Sequence, residues 1–188
     1  PEAHFSIAHA SDFAGDKKLA EKELDIVEKL DPKWETAALF KGYMIAQEWP
    51  EKALEHYKSF LRKYPSSNEV RLEYAKTLTQ LRKYDLAKKE FLKLVNGSLA
   101  SPEISLTVAL LALELEDRDL AEKYLNQSLE RGYNYPDKIY MYLARIYEEK
   151  NEPNVALKYL DKIDTGNLFL EAKLYAADII ARHKSIDE

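Results

Sequence analysis

The four histidines are the residues best suited to chemistry in this chain, but their spacing assembles no site. His4, His9, His56 and His183 include no pair four residues apart on one helix, and none belongs to a His-Glu-x-x-His motif. The chain has no cysteine, which excludes thiol nucleophiles and thiolate metal sites. We therefore expect a solvated or packing role for each histidine, with no catalytic residue, no cofactor and no bound metal.

Phosphate and acyl-transfer chemistry also lack their usual motifs. The sequence contains no glycine-rich phosphate-binding loop and no Gly-x-Ser-x-Gly nucleophile elbow. Acid-rich stretches such as residues 113–117 are typical of solvated helix ends. The sequence therefore predicts that the protein is not an enzyme.

Charge argues against a nucleic-acid partner. The 28 Lys and Arg residues are interspersed with 33 Asp and Glu residues, the net charge is −5, and the isoelectric point is near 5.5. A nucleic-acid-binding domain gathers its basic residues on one face. The most basic stretch, Lys88 and Lys89 with Lys93, is typical of an ordinary charged helix surface.

Composition predicts one folded domain over residues 1–188. The chain is 46% hydrophobic and 32% charged, unlike a disordered protein. No apolar run is long enough to span a bilayer. The elements that position the side chains are indicated by internal repetition in the sequence.

Five alanines recur at nearly constant spacing along the whole chain. The steps between them are 33, 34, 34 and 35 residues, and the positions are Ala20, Ala53, Ala87, Ala121 and Ala156. A bulky apolar or aromatic residue follows each alanine, at Leu24, Tyr57, Phe91, Leu125 and Leu160. A second follows three residues later except in the fourth repeat, which has Ser128. A period of about 34 residues predicts a two-helix repeat stacked into a solenoid.

In four of the five repeats, a pair of one large and one small residue precedes the periodic alanine: Ile7-Ala8, Tyr74-Ala75, Val108-Ala109 and Leu143-Ala144. Pro32 and Pro65 follow the helices that carry the first two alanines. In these features the chain resembles the tetratricopeptide repeat family over essentially its full length. The second repeat departs from the pattern, with Lys41-Gly42 in place of the pair and a connection one residue shorter.

The resemblance implies an all-α, right-handed superhelical solenoid of antiparallel helix pairs. Repeats are expected at about 1–33, 34–67, 68–101, 102–136 and 137–167. A helices are expected at 2–13, 34–47, 68–81, 102–115 and 137–149, and B helices at 17–30, 51–63, 85–96, 119–130 and 154–163. A terminal helix is expected at 168–182. No alternating pattern predicts a strand.

In this family the A helices line a concave groove that binds protein partners. The register places these partner-binding candidates there: Phe5, His9, Leu39, Tyr43, Leu72, Lys76, Leu106, Leu110, Leu113, Met141 and Arg145. The A helix of repeat four is apolar nearly all round, so its three leucines exceed what its core needs. The alternative is that groove residues cover one another in a tightly wound superhelix.

One well-known mode of partner binding is excluded by the same register. Family members that grip a C-terminal carboxylate use Lys, Asn and Arg from three consecutive repeats. No three consecutive repeats of this chain supply those residues; repeats two to four, for example, have Leu39, Tyr43, Glu73, Glu103 and Thr107 at those places. We therefore expect no carboxylate clamp.

The resemblance implies a non-enzymatic scaffold that binds an apolar or amphipathic segment of a protein or peptide partner in its groove. One alternative is a structural module that self-associates through its apolar helix surface, for example as a homodimer. Another is the regulatory array of a larger enzyme.

The chain opens inside a repeat and closes on an unpaired helix, so we expect it to be a fragment of a longer protein. The alternative for the last helix is the solubilising cap that such arrays need. The repeats of the chain loosely resemble those of bacterial envelope proteins with a signal or lipoprotein leader. That resemblance favours the periplasmic side of the bacterial envelope over the cytoplasm.

Overall fold

The structure, a computed structural model, describes residues 1–184 of the 188-residue chain as eleven α-helices without a strand. Each helix predicted from the repeat pattern is found, with its ends within two residues of the prediction. The helices are α1 (Glu2–Phe13), α2 (Lys17–Leu30), α3 (Glu35–Ala46), α4 (Pro50–Lys63), α5 (Asn68–Gln80), α6 (Tyr84–Leu94), α7 (Pro102–Glu114), α8 (Arg118–Glu130), α9 (Pro136–Glu149), α10 (Pro153–Asp161) and α11 (Phe169–Lys184).

The helices form two compact units, Pro1–Leu99 with α1 to α6 and a second from Ala100 onward with α7 to α11. In the first unit α1 packs on α2, α3 on α4 and α5 on α6. In the second unit α7 packs on α8, while α10 packs on both α9 and α11. The all-α pairing expected from the repeats is therefore confirmed within each unit, while the single domain remains a prediction.

The five periodic alanines are the contact points of the B helices. Each is fully shielded from solvent, with 0% of its surface exposed, as the spacing predicted. The bulky residue four positions later is buried in every repeat, from 0% exposed for Leu24 to 3% for Phe91. A small side chain lets two helices approach closely, and the large one a turn later fills the space beside it.

Ser128, the polar exception to this pattern, is also fully buried. Its hydroxyl donates a 2.8 Å hydrogen bond to the carbonyl of Pro102, in the first turn of α7. A buried hydroxyl needs such a partner to offset its lost hydration. Ser128 thus joins α8 to the start of α7 by a polar contact where the other repeats use an apolar one.

The turn from helix A to helix B has the same backbone form in four of the five repeats. One turn residue has a positive φ, at Gly15, Arg82, Glu116 and Asn151. In each case the next amide donates to a carbonyl five residues back, as Asp16 does to Ser11. This is the Schellman ending, which satisfies the last carbonyls of a helix. In repeat two the amide of Trp49 instead donates only four residues back, to Ile45. Repeat two, whose connection is one residue shorter, therefore lacks the turn residue that has a positive φ in the other repeats.

The Lys41-Gly42 pair of repeat two is explained by its neighbours. Gly42 lies against the ring of Tyr57, which is 2% exposed and occupies the space that a Cβ on Gly42 would need. The Lys41 ammonium donates to Asp25 at 2.8 Å and to Glu28 at 2.7 Å, joining α3 to α2. Although burial opposes it, these two hydrogen bonds raise the pKa of Lys41 above its ordinary value of 10.5. The glycine and the tyrosine are thus a complementary pair.

Substituting Gly42→Ala is expected to destabilise the protein. Alanine normally stabilises a helix interior by about 0.5–1 kcal/mol relative to glycine. Here the added methyl group overlaps a buried ring, and overpacking costs about 1–3 kcal/mol, so we expect a net loss of about 1 kcal/mol. Urea denaturation would measure it. The double variant Gly42→Ala/Tyr57→Leu gives repeat two the alanine and leucine found at these positions in repeats one, four and five. It should be more stable than the sum of the two single effects predicts. Strict additivity would contradict the proposed contact.

Candidate protein-binding surface

In the first unit, the groove candidates on α1 are engaged in aromatic packing. The Phe5 ring lies 4.9 Å from the Trp34 ring and 5.8 Å from the Phe40 ring, measured between centroids. His9 stacks on Phe40 at 5.3 Å. Phe5 is half-buried in this cluster, whereas His9 remains exposed. An arriving partner would therefore meet His9 before Phe5.

The candidates on α3 and α5 present a mixed surface. Leu39 and Leu72 are half-buried, while Tyr43 is 59% exposed. Lys76 is exposed, and its ammonium pairs with Glu73 at 2.7 Å, one turn back on α5. Among these candidates, Tyr43 thus offers the one widely exposed ring, whereas Leu39 and Leu72 offer only part of their surfaces.

In the second unit, the three leucines of α7 form a stripe at four- and three-residue steps. Leu106, Leu110 and Leu113 are all half-buried, so each retains some accessible apolar surface. Leu113 lines a cavity of about 330 Å³ together with Tyr142 and Arg145 of α9. The sequence placed these leucines on the groove side, and the structure places one of them in a cavity between two A helices.

Met141 and Arg145, the candidates on α9, have different surroundings. Met141 is only 6% exposed because it belongs to the core cluster that joins α9, α10 and α11. Arg145 is exposed and faces Glu171 of α11 at 3.7 Å. Both residues line a cavity of about 430 Å³ with Leu174 and Tyr175. Met141 can therefore contribute a cavity floor but little accessible surface.

Several further residues line these cavities that the sequence did not indicate, among them Tyr142, Glu149, Leu174 and Tyr175. Tyr142 and Glu149 flank Arg145 at three and four residues, on the same stripe of α9. Leu174, which is 63% exposed, lies on α11. A step of one repeat period, about 34 residues, from Met141 would have pointed to Tyr175, which is next to Leu174 in the chain. We call the surface formed by α7, α9 and α11 around the two cavities the α7–α9–α11 face.

Glu148, Glu149 and Arg118 of this face are each held by a hydrogen bond or an ion pair. Arg118 donates to Glu149 at 2.5 Å and to the carbonyl of Leu113 at 3.2 Å. Glu148 accepts a hydrogen bond from the Tyr175 hydroxyl and pairs with Arg182 at 2.5 Å. Burial and then the hydrogen bond to Glu148 raise the pKa of Tyr175, so its hydroxyl remains a donor at neutral pH.

Two smaller cavities lie in the first unit, and several of the charged side chains that line them are paired. One, of about 220 Å³, lies among α2, α3 and the start of α4, and includes Trp49. Lys52 lies 4.7 Å from the centroid of that indole ring, and Lys17 pairs with Asp12 at 2.5 Å. The other cavity, of about 150 Å³, is lined by His56 and Glu28.

His56 is held as a neutral ring between α3 and α4. Its Nε2 lies 2.9 Å from the carbonyl oxygen of Ala38, to which it donates, and its Nδ1 lies 3.6 Å from Glu28. Burial lowers the pKa of His56 below 6.5, its ordinary value, although Ala38 and Glu28 oppose this and Lys41 assists. The packing role expected for this histidine agrees with its position.

The lowered pKa of His56 predicts loss of stability in acid. The unfolded chain binds a proton as the pH falls through about 6.5, whereas the folded chain resists protonation there. We therefore expect the free energy of unfolding to fall between pH 7.5 and pH 5.5. The variant His56→Gln, whose amide can also donate to Ala38, should show a shallower fall when urea midpoints are compared at both pH values. Equal slopes for the two proteins would contradict this role.

No group of metal-ligating side chains stands close enough to hold an ion among residues 1–184. Over the same residues, no helix is both long and apolar enough to cross a membrane.

Comparison with known proteins identifies the repeat. Residues 106–167 match the tetratricopeptide repeat family. The rRNA biogenesis protein RRP5 of Arabidopsis thaliana is 26% identical over 128 residues, which are 65% of this chain. The chain spans only 7% of the length of that curated relative.

Solved structures confirm the fold. A MamA protein superposes with a TM-score of 0.71 at 18% identity, covering 94% of this chain and 93% of that one. A MamA fragment from Desulfovibrio magneticus gives 0.68 at 13% identity, covering 86% and 92%. PilF of Pseudomonas aeruginosa gives 0.62 at 19% identity, covering 98% and 90%. These superpositions establish a shared solenoid fold, and at such low identities they establish nothing about a shared partner.

Proposed function

We propose that this chain, which is a tetratricopeptide repeat protein, is a non-enzymatic scaffold that binds an apolar or amphipathic segment of a protein partner on its A helices. The observation that carries the proposal is the α7–α9–α11 face, where the cavity lined by Leu113, at the end of the leucine stripe of α7, adjoins a second cavity between α9 and α11. Exposed A-helix surfaces of helical repeats are suited to such segments. The apolar stripe supplies affinity and the charged rim supplies orientation.

Hydrogen exchange would test where a partner binds. A leucine-rich amphipathic peptide should slow exchange in α7 and α9, and a peptide of the same composition in scrambled order should not. The B helices α8 and α10 serve as internal controls because they lie behind the A helices of their repeats. Protection confined to α8 and α10 would place binding on the opposite face and contradict the proposal.

Self-association is a second candidate, favoured by the open apolar surface of α11. Leu170 is 67% exposed and Leu174 is 63% exposed on that helix. Light scattering over a concentration series separates the two functions. A dimer that forms as the concentration rises would support self-association, and a monomer throughout would support a surface reserved for another protein.

A further inference from the structure

We propose that the α7–α9–α11 face selects a basic amphipathic segment of its protein partner, one with an apolar stripe and with lysine or arginine at one end. This inference rests on the proposed function and adds the charge of the partner to it. It is carried by the shape of the face, by the balance of its charges and by the direction of its helices.

The shape of the face suits a segment longer than a single side chain. The cavities of about 330 and 430 Å³ share Arg145 and Glu149 in their linings, so they adjoin across α9. Their apolar and aromatic lining comes from three helices: Leu113, Met141, Tyr142, Ile146, Leu174 and Tyr175. Successive apolar side chains of one helix can therefore enter successive cavities.

The charge of the face is negative. Its two cavities are lined by five carboxylates, those of Glu114, Glu116, Glu148, Glu149 and Glu171, and by the guanidinium groups of Arg118 and Arg145. Arg118 is already paired with Glu149, and Arg145 faces Glu171. Among the residues that the structure describes, Glu114 and Glu116 have no ion pair. These two carboxylates are open to a cation from a partner.

The direction of the helices adds to this negative potential. Helix α7 ends at Glu114 and α9 ends at Glu149, and the last turns of both line the same cavity. The C-terminus of a helix carries a partial negative charge, so two of them lie beside the open carboxylates. The opposing positive end of α8, which begins at Arg118 on the same cavity, is capped by the carboxylate of Asp117, which accepts from the amide of Leu120 at 3.2 Å. A lysine or arginine at this edge would be attracted by both C-termini, and a glutamate would be repelled.

A second copy of the chain fits this face poorly. Two identical faces brought together would both be negative, and each copy carries a net charge of −5. Like charges juxtaposed across an interface disfavour that pairing. A basic partner therefore matches the face better than self-association does.

Two synthetic helices would test the inference directly. They share one length and one leucine pattern, and their remaining positions are lysine in one and glutamate in the other. Measured by fluorescence anisotropy at low ionic strength, the lysine peptide should bind at least tenfold more tightly than the glutamate peptide. Its advantage should shrink as salt is added, because screening weakens attraction between exposed charges.

Matched variants locate the effect on this face. The double variant Glu114→Gln/Glu116→Gln should reduce the preference for the lysine peptide. The control Glu51→Gln/Glu130→Gln removes two exposed carboxylates from the B helices α4 and α8 and should leave the preference unchanged. An equal loss of preference in both double variants would show only the effect of net charge, and would overturn the inference.

The outcomes distinguish a failure of charge selectivity from a failure of the proposed function. If both peptides bind equally and Leu174→Asn weakens both, the apolar face is a binding surface and the charge selectivity is wrong. If neither peptide binds, the proposed function and the inference both fail. If light scattering shows a dimer that the lysine peptide cannot displace, the face belongs to a second copy and the inference is overturned.

Discussion

Replacing Ala87 by leucine is expected to lower the stability of the protein by about 1–3 kcal/mol, the usual cost of overpacking a helix contact. Ala87 lies on α6, is 0% exposed, and is followed one turn later by the buried ring of Phe91. Three added carbon atoms have no space there, so α5 and α6 must move apart. Chemical denaturation at constant pH would measure the change.

The matched control places leucine at an exposed position of the same helix. Lys89, two residues further along α6, is exposed, and Lys89→Leu should change stability by no more than about 0.5 kcal/mol. An unchanged midpoint for Ala87→Leu would mean that Ala87 does not hold the helices together, and the repeat register would then be wrong.

The variant Leu110→Asp is expected to weaken partner binding at least tenfold, which corresponds to about 1.4 kcal/mol. Leu110 lies at the centre of the leucine stripe on α7, and burying its side chain against a partner contributes about 1.5–3 kcal/mol when it is fully desolvated. Titration of an amphipathic peptide, followed by anisotropy, measures the loss. Circular dichroism should show unchanged helix content.

Because Leu110 is half-buried, the aspartate also carries a structural cost, which a second variant separates from binding. Leu174 is 63% exposed on the same face, so Leu174→Asn should weaken binding while leaving the thermal midpoint nearly unchanged. If Leu110→Asp unfolds the protein and Leu174→Asn binds normally, the leucines of α7 are core residues and the proposed surface is wrong. If both variants stay folded and bind normally, the partner site lies elsewhere.

The sequence by itself determined the repeat and its phase. A fixed interval between small residues requires that each repeat make the same contact with its own neighbours, so one alanine per period was enough to predict five buried positions. Helix ends followed from local signals, as at Ser101, which accepts from the amide of Ile104 at 3.2 Å and precedes Pro102. Such features depend on residues close in the chain.

Departures from the repeat were visible in the sequence, but their reasons were not. The pattern alone gives no reason for Lys41-Gly42. In the structure the ring of Tyr57 lies against Gly42, and the Lys41 ammonium donates to Asp25 and Glu28. The pattern likewise gives no reason for Ser128, whose hydroxyl donates a hydrogen bond to the carbonyl of Pro102 in the structure. Each explanation lies in a residue on another helix.

Only the tertiary structure decided which groove candidates remain available to a partner. Phe5 packs on Trp34 and Phe40, and Met141 is covered by α10 and α11, although the register treats both as groove positions. Leu174, which the sequence did not indicate, meets the cavity that Arg145 lines. The physical reason is that the core-facing positions of a helix recur with the period of that helix, whereas the exposure of its outer face depends on the side chains of neighbouring helices. A single repeat therefore predicts its own core, and its binding surface exists only once the neighbouring helices are packed.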